Sequence, residues 1–228
     1  MRRGRAGTIS RVARGGDEQR EGRNYGGLTR DQRVAQRRER LIEAALELYG
    51  TQGYAATSIE RLCAVANVST RSFYEDVGSR EALLVALVNR TTAQAVAAAT
   101  AALDAVREEP LRVRVTAAFR AYLAVTCHDV RTARVHYVEV VGVSDAVEQW
   151  RRQQRRQLCA LLVGEAERAV ARGETTARRF DLFAFAVIGA VNSLAQEFGD
   201  IADTESPITL DEICEEIAHF VNSSLAAH

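Results

Sequence analysis

Apolar residues recur at helical spacing through almost the whole chain from Arg33 onward, and this pattern constrains the fold more than any other feature. Only two prolines, Pro110 and Pro207, interrupt the 228 residues. We therefore predict an all-α protein, and because no repeat of 20–50 residues is visible, a helical solenoid is disfavoured. The predicted helices are 33–51, a short one from a Thr57–Glu60 capping box to Ala66, 70–76, 79–105, 110–128, 131–141, 144–173, 178–198 and 209–226.

The composition excludes several chemistries and compartments. All 30 basic residues are arginine, so the ammonium group of a Walker loop, a pyridoxal Schiff base or a kinase-type phosphate clamp is missing. The longest apolar run, 182–191, is about half the length of a bilayer crossing, and no signal peptide is visible. We expect a cytoplasmic protein without membrane contact. Its four cysteines are expected to be free and buried, since they lack metal-ligand or redox spacing: Cys63, Cys127, Cys159 and Cys214.

The zero net charge conceals a basic amino-terminal part. Residues 1–40 contain 12 arginines and 5 acidic residues, whereas residues 81–228 contain 15 arginines and 20 acidic residues. This asymmetry suggests that one end of the molecule meets a polyanion. Residues 1–28, rich in glycine and arginine, are predicted to be a disordered arm. The arm is either a solubilising tail or a segment that enters a minor groove of DNA.

Two short helices joined by a tight turn follow the first helix. Asn67 tolerates the positive φ that such a turn needs, and Ser69 is placed to cap the helix 70–76. Two short helices with this connection form a helix-turn-helix, the motif that places its second helix in the major groove.

The stretch from Thr57 to Leu84, TSIERLCAVANVSTRSFYEDVGSREALL, resembles the DNA-binding segment of tetracycline-repressor (TetR) family regulators. It departs from that family's pattern at Cys63, Asn67, Val77 and Arg80. Cys63 is small and Asn67 tolerates a positive φ, so these two replacements keep the required geometry. The resemblance implies a homodimer, with a helix-turn-helix domain over 29–78 and a larger effector-binding and dimerisation domain over 79–228.

Resemblance and groove geometry together assign roles to the motif's residues. Thr70, Arg71 and Ser72 are predicted at base edges, where Arg71 alone can hold guanine O6 and N7 with two hydrogen bonds. Phe73 is expected in the core and Tyr74 outside. A basic flank of the first helix, including Arg37, could face phosphate. The predicted phosphate contacts are Thr57, Ser58, Ser69, Tyr74 and Arg80.

The helix predicted over 178–198 is apolar almost all round and therefore cannot face water. Its small residues, together with the amphipathic last helix, predict a four-helix interface between two subunits. The alternative is an interior helix of a monomer. The interface candidates are Ala186, Gly189, Ala190, Ser193, Ile213, Ile217 and Val221.

Polar and aromatic residues of the larger domain are candidates for an effector cavity, although most are expected to be ordinary core. They are Phe119, Tyr122, Cys127, His136, Tyr137, Glu139, Trp150 and Phe183. His136 and Glu139 stand at helical spacing but lack a further ligand, so a core or pocket pair is favoured over a metal site. Ser144 is interpreted as a helix cap, and the arginine pairs at 151–152 and 155–156 as a solvated helix face.

The sequence thus predicts a DNA-binding transcriptional regulator, a repressor released by a small-molecule effector, with no catalytic residue, cofactor or metal. Two alternatives stay open. One is an all-α enzyme that uses His136 and Glu139. The other is a helical interaction module without DNA affinity, suggested by the carboxylates of Glu75 and Asp76 at the end of the recognition helix.

Overall fold

The structure, a computed structural model, describes residues 29–200 and 208–225. These residues form nine α-helices and one π-helical segment, and this part of the chain contains no β-strand, which confirms the all-α prediction. The arm predicted over 1–28 lies outside the described residues. The elements are α1 (Arg30–Gln52), α2 (Ile59–Ala66), α3 (Thr70–Asp76), α4 (Arg80–Ala105), α5 (Leu111–Thr126), α6 (Val130–Ala133), the π-helical segment (Arg134–Glu139), α7 (Asp145–Ala171), α8 (Asp181–Asp200) and α9 (Leu210–Leu225).

Side-chain caps explain where several helices begin. Serine hydroxyls accept the backbone hydrogen bond of the third following residue at the starts of α2, α3, α4 and α7, from Ser58, Ser69, Ser79 and Ser144. The caps at Ser69 and Ser144 confirm the predictions. The predicted Thr57–Glu60 box is wrong, because Ser58 takes the N-cap position of α2.

Two core clusters organise the helices. The first cluster packs the buried sides of α1, α2, α3 and the first half of α4 around Leu41, Leu62, Phe73 and Leu84. Val135 of the π-helical segment completes this cluster. The amino-terminal helices therefore share their core with a segment from the middle of the chain, which ties the two parts of the molecule together.

The second cluster joins α5, α8 and α9, with contributions from α7 and the π-helical segment. Two described stretches, α4 and Asp181–Gly199, are long and apolar enough to cross a membrane by length and composition alone. Each nevertheless buries an apolar side in a core cluster, as Leu87 does in α4 and Val187 in α8. Core helices of soluble proteins meet the same criterion.

The helix predicted over 131–141 is interrupted. It begins as α6 and continues as the π-helical segment, whose wider turn is rare and is often found at functional sites. The end of α8 approaches this segment closely, because a Cβ built on Gly199 would lie 3.0 Å from the Arg134 amide nitrogen. α1 packs still more closely on α6, where a Cβ on Gly50 would lie 2.5 Å from Arg131 Cβ. Glycine at these two positions allows the helices to meet.

Candidate nucleic-acid interface and ligand cavity

The turn between α2 and α3 adopts the predicted conformation. Asn67 has φ 50° and ψ 54°, the left-handed region, and its backbone amide closes α2. Val68 and Phe73 are buried beneath the turn, so α3 is fixed by its inner side. The outer side of α3 carries Arg71, which is exposed, and Tyr74, which is 55% exposed. The predictions of Phe73 inside and Tyr74 outside are confirmed.

Arg71 projects from α3 with its side chain 88% exposed. Its Nε donates a hydrogen bond of 2.8 Å to Oε1 of Glu75, one helical turn later. This hydrogen bond raises the pKa of Arg71, and the charge of Glu75 adds to the effect. Because this hydrogen bond engages Nε, the outer edge formed by the two terminal nitrogens of the guanidinium is left open. Glu75 therefore orients Arg71.

Asp76, by contrast, is a structural residue. Its carboxylate accepts hydrogen bonds from Arg37 Nε at 2.6 Å and Arg37 Nη2 at 3.2 Å, and its side chain is only 6% exposed. Arg38 Nε also donates to the Asp76 carbonyl oxygen at 2.7 Å. Asp76 thus fixes the end of α3 to α1 and presents little charge to solvent. Arg37 is used in this pair, so the prediction that it faces phosphate is corrected.

Two of the predicted phosphate contacts are used inside the protein. Thr57 is 1% exposed, and its hydroxyl donates to the Gly53 carbonyl oxygen at 2.8 Å. Arg80 lies over the Tyr54 ring at 4.6 Å and donates to the carbonyl oxygens of Tyr54 and Thr57. Both side chains therefore hold the connection between α1 and α2, and we correct their assignment to phosphate binding. The remaining predicted DNA contacts are exposed or half-buried: Ser58, Ser69, Thr70, Arg71, Ser72 and Tyr74.

A cavity of about 500 Å³ lies between α4, α5, α7, α8 and α9. Three of the eight predicted effector residues line it, namely Phe119, Tyr122 and Phe183. Burial raises the pKa of the Tyr122 phenol far above its ordinary value, so this hydroxyl stays protonated and can donate a hydrogen bond. Most of the remaining lining is aliphatic, which suits an apolar ligand.

The other five predicted effector residues lie elsewhere, and their assignment is corrected. Cys127 is 1% exposed, and burial raises the pKa of its thiol to about 12. The Tyr137 hydroxyl donates a hydrogen bond of 2.8 Å to Thr126 Oγ1. Trp150 packs against the first core cluster. His136 stacks edge-on against Tyr137, and burial, aided by the charge of Arg151, lowers its pKa to about 4.

Glu139 connects the two parts of the molecule. Its Oε2 accepts a hydrogen bond of 2.7 Å from the Tyr54 backbone amide, and its Oε1 accepts one of 2.8 Å from Arg134 Nε. The side chain is 13% exposed. This contact between the π-helical segment and the end of α1 is not visible in the sequence, because 85 residues separate its partners.

The predicted dimer residues divide into two groups. Ala186, Gly189 and Ser193 are exposed on α8, and Ala190 is half-buried. On α9, however, the three predicted residues are buried in the second core cluster: Ile213 (1% exposed), Ile217 (0%) and Val221 (3%). Their assignment to an interface is therefore corrected. Large apolar side chains are exposed on the outer faces of the same helices, namely Leu182 (68%), Phe185 (45%) and Phe220 (37%).

Within residues 29–200 and 208–225, no group of three or more metal-ligating side chains comes together. All four cysteines are free and buried, as predicted. The pair suggested for an enzyme does not assemble, because Glu139 is engaged by Tyr54 and Arg134 while the buried His136 Nδ1 has no hydrogen-bond partner among the described residues.

The helix-turn-helix region matches a known family. Residues 41–87 match the family model described as "Bacterial regulatory proteins, tetR family". No curated protein matches the sequence.

Solved structures with this fold include TetR-family regulators. A putative TetR-family transcriptional regulator from Syntrophomonas wolfei is 20% identical, with 84% of this chain and 95% of that chain covered and a TM-score of 0.72. FadR from Bacillus subtilis, in complex with stearoyl-CoA, is 14% identical, with 80% and 96% covered and a TM-score of 0.69. AibR, in complex with isovaleryl coenzyme A and operator DNA, is 19% identical, with 81% and 97% covered and a TM-score of 0.59. These likenesses establish a common fold.

Proposed function

We propose that this chain acts as a cytoplasmic homodimeric repressor of the tetR family of bacterial regulatory proteins, a class of DNA-binding transcriptional regulators and not of enzymes. In this proposal α3 of each subunit enters the major groove of an operator, and the two half-sites are about one helical turn, ~34 Å, apart. A small molecule that enters the cavity then releases the DNA.

The geometry of Arg71 carries the DNA-binding proposal. The side chain is exposed, and Glu75 holds its Nε, so the edge formed by the two terminal nitrogens is available for guanine O6 and N7. The carboxylates that favoured an interaction module have other roles, because Glu75 orients Arg71 and Asp76 is buried against Arg37.

Contacts to phosphate would set the register of α3 without reading sequence. The exposed residues at the starts of α2 and α3 support this role, since hydroxyls and helix amino ends both attract phosphate oxygens. We propose Ser58, Ser69 and Tyr74 as phosphate contacts and Thr70 and Ser72 as further contacts at base edges.

α4 supports a link between cavity and DNA. Its first half, with Leu84 and Leu87, belongs to the core of the helix-turn-helix region. Its second half lines the cavity from Val96 to Asp104. A helix of 26 residues is about 39 Å long and moves largely as one body. A ligand that shifts one end of α4 therefore changes the position of the DNA-binding region, and by reciprocity DNA weakens ligand binding equally.

The exposed apolar face of α8 supports the homodimer. Leu182 and Phe185 leave large side chains in water, and the small residues Ala186, Gly189 and Ser193 lie on the same exposed face. Small residues let a second helix approach closely, so two copies of α8 would bury this face against each other.

The DNA-binding proposal is tested by selection from a pool of random duplexes. The native chain should enrich a palindromic site, and Arg71→Ala should enrich none, because the side chain that distinguishes guanine is gone. Arg156→Ala, an exposed arginine on α7, is the matched control and should enrich the native site. If the native chain selects no sequence, the proposal fails and the interaction module is favoured.

The homodimer is tested by the molar mass in solution. Phe185→Glu should convert a dimer into a monomer, since it places a charge in the proposed interface. Val141→Glu adds the same charge at a side chain that is 48% exposed elsewhere and should leave the dimer intact. Light scattering that finds the two variants in the same oligomeric state would rule out the α8 interface.

A further inference from the structure

The cavity changes in character from its floor to its opening. Its deepest residues are apolar and less than 10% exposed, for example Phe119, Val187 and Val191. Its exposed lining residues, which form the rim, are mostly charged. The rim consists of Thr100, Asp104, Arg107, Leu161, Arg168 and Arg172. A ligand that fills this space must therefore be apolar at one end and polar at the other.

The charge at the opening is positive. Arg168 is paired with the half-buried Glu165 at 2.5 Å, and Arg107 with Asp104 at 3.4 Å. These pairs are largely exposed and therefore contribute little, so an anion could compete for both arginines at small cost. Arg172 has no carboxylate within hydrogen-bond distance among the described residues. Three arginines thus face two carboxylates.

A buried arginine below the rim is paired with a carboxylate and does not compete for the ligand. Arg114 lines the cavity at 4% exposure, and both of its terminal nitrogens bond the carboxylate of Glu174 at 2.8 and 2.5 Å. The hydrogen bond from Arg114 lowers the pKa of Glu174, and the charge of Arg172 lowers it further. Because Arg114 is already satisfied, the head group is left to the rim arginines, of which Arg172 makes no ion pair in the described part of the chain.

We infer that the effector is an anionic amphiphile, whose aliphatic body fills the floor of the cavity and whose carboxylate or phosphate head group binds Arg172 at the rim. This inference rests on the proposed function, because it names the chemical class of the molecule that releases the DNA. A cation of the same shape is disfavoured, because the three arginines at the opening outnumber the two carboxylates and would repel it.

Calorimetric titration of the full chain with four probes of equal chain length tests the head group. The probes are decanoate, decyl phosphate, decan-1-ol and decylammonium, each below its micelle concentration. We expect the two anions to bind at least about threefold more tightly than the alcohol. Shortening decanoate to octanoate should weaken binding about fourfold per methylene. The affinities of decanoate and decyl phosphate, compared with each other, show whether the site prefers a carboxylate or a phosphate head group.

Two arginine variants locate the head group. Arg172→Gln should weaken decanoate about three- to tenfold and leave decan-1-ol unchanged. Arg156→Gln, on the same helix but outside the cavity, should change neither. The inference would be overturned if decan-1-ol binds as tightly as decanoate or if decylammonium binds most tightly. It would also be overturned if Arg172→Gln has no effect or if none of the probes binds.

The release of operator DNA separates this inference from the proposed function. If decan-1-ol releases the DNA as well as decanoate does, the cavity remains the effector site and the anionic head group is wrong. If decanoate binds through Arg172 but the DNA stays bound, the inference about the ligand stands and the repressor mechanism fails.

Discussion

Replacing Glu139 by alanine should destabilise the protein, because it removes both hydrogen bonds that the Glu139 carboxylate accepts, one from Tyr54 and one from Arg134. Hydrogen bonds to charged groups contribute about 1.5–3 kcal/mol each. The Arg134 side chain is 35% exposed and regains water when its partner is lost, so its share is small. The Tyr54 amide, which is 2.7 Å from the carboxylate, loses its acceptor in a partly buried place. We therefore expect a loss of about 2 kcal/mol in the free energy of unfolding.

Thermal unfolding followed by circular dichroism measures this effect. A loss of about 2 kcal/mol in a chain of this size lowers Tm by about 4–8 °C. Glu139→Gln should fall between native and alanine, because its amide oxygen can still accept from Tyr54 while its amide nitrogen faces Arg134. Glu167→Ala removes an exposed glutamate from α7 and serves as the control. A Tm for Glu139→Ala within one degree of the control would refute the argument.

Three further changes test other parts of the account. Thr57→Val should lower the free energy of unfolding, measured with urea, by about 1 kcal/mol and leave the salt dependence of DNA binding unchanged. A smaller salt slope for the variant would show that Thr57 contacts phosphate after all. Gly50→Ala should lower Tm, because the added Cβ would lie 2.5 Å from Arg131. Alanine is favoured over glycine in a helix by about 1 kcal/mol, so a higher Tm would contradict the close approach of the two helices. The pKa of the buried His136 is about 4 in the folded protein and 6.5 in the unfolded chain. Between these pH values the unfolded chain binds more protons than the folded protein, so the free energy of unfolding falls as the pH drops through this range. Between pH 7 and pH 5, the free energy of unfolding of His136→Phe should therefore fall by about 2 kcal/mol less than that of the native protein. Equal decreases in the two proteins would contradict a buried neutral imidazole.

The helix-turn-helix could be predicted from the sequence because its signals are local. Asn67 at the positive φ, Ser69 at the cap and the alternation of Phe73 inward with Tyr74 outward depend on neighbours within one or two turns. Arg71 is exposed for the same reason, since it stands one turn from Glu75 on a short helix held by its other side.

The site residues that were predicted wrongly depend on distant contacts. Arg80 is used inside the protein because it contacts Tyr54, 26 residues earlier in the chain, and no local pattern shows this. Val221 has the spacing of an interface residue, but its helix turns that side toward α5 and the cavity. Aliphatic cavity walls such as Leu162 have the same pattern as core residues, so sequence alone could not separate them.

The affinity of the chain for duplexes that carry each of the four base pairs at one operator position tests the central claim most directly. At the position contacted by Arg71, the native protein should prefer guanine by about 10- to 100-fold, and Arg71→Ala should bind all four duplexes equally. A native preference that survives unchanged in Arg71→Ala would contradict the account.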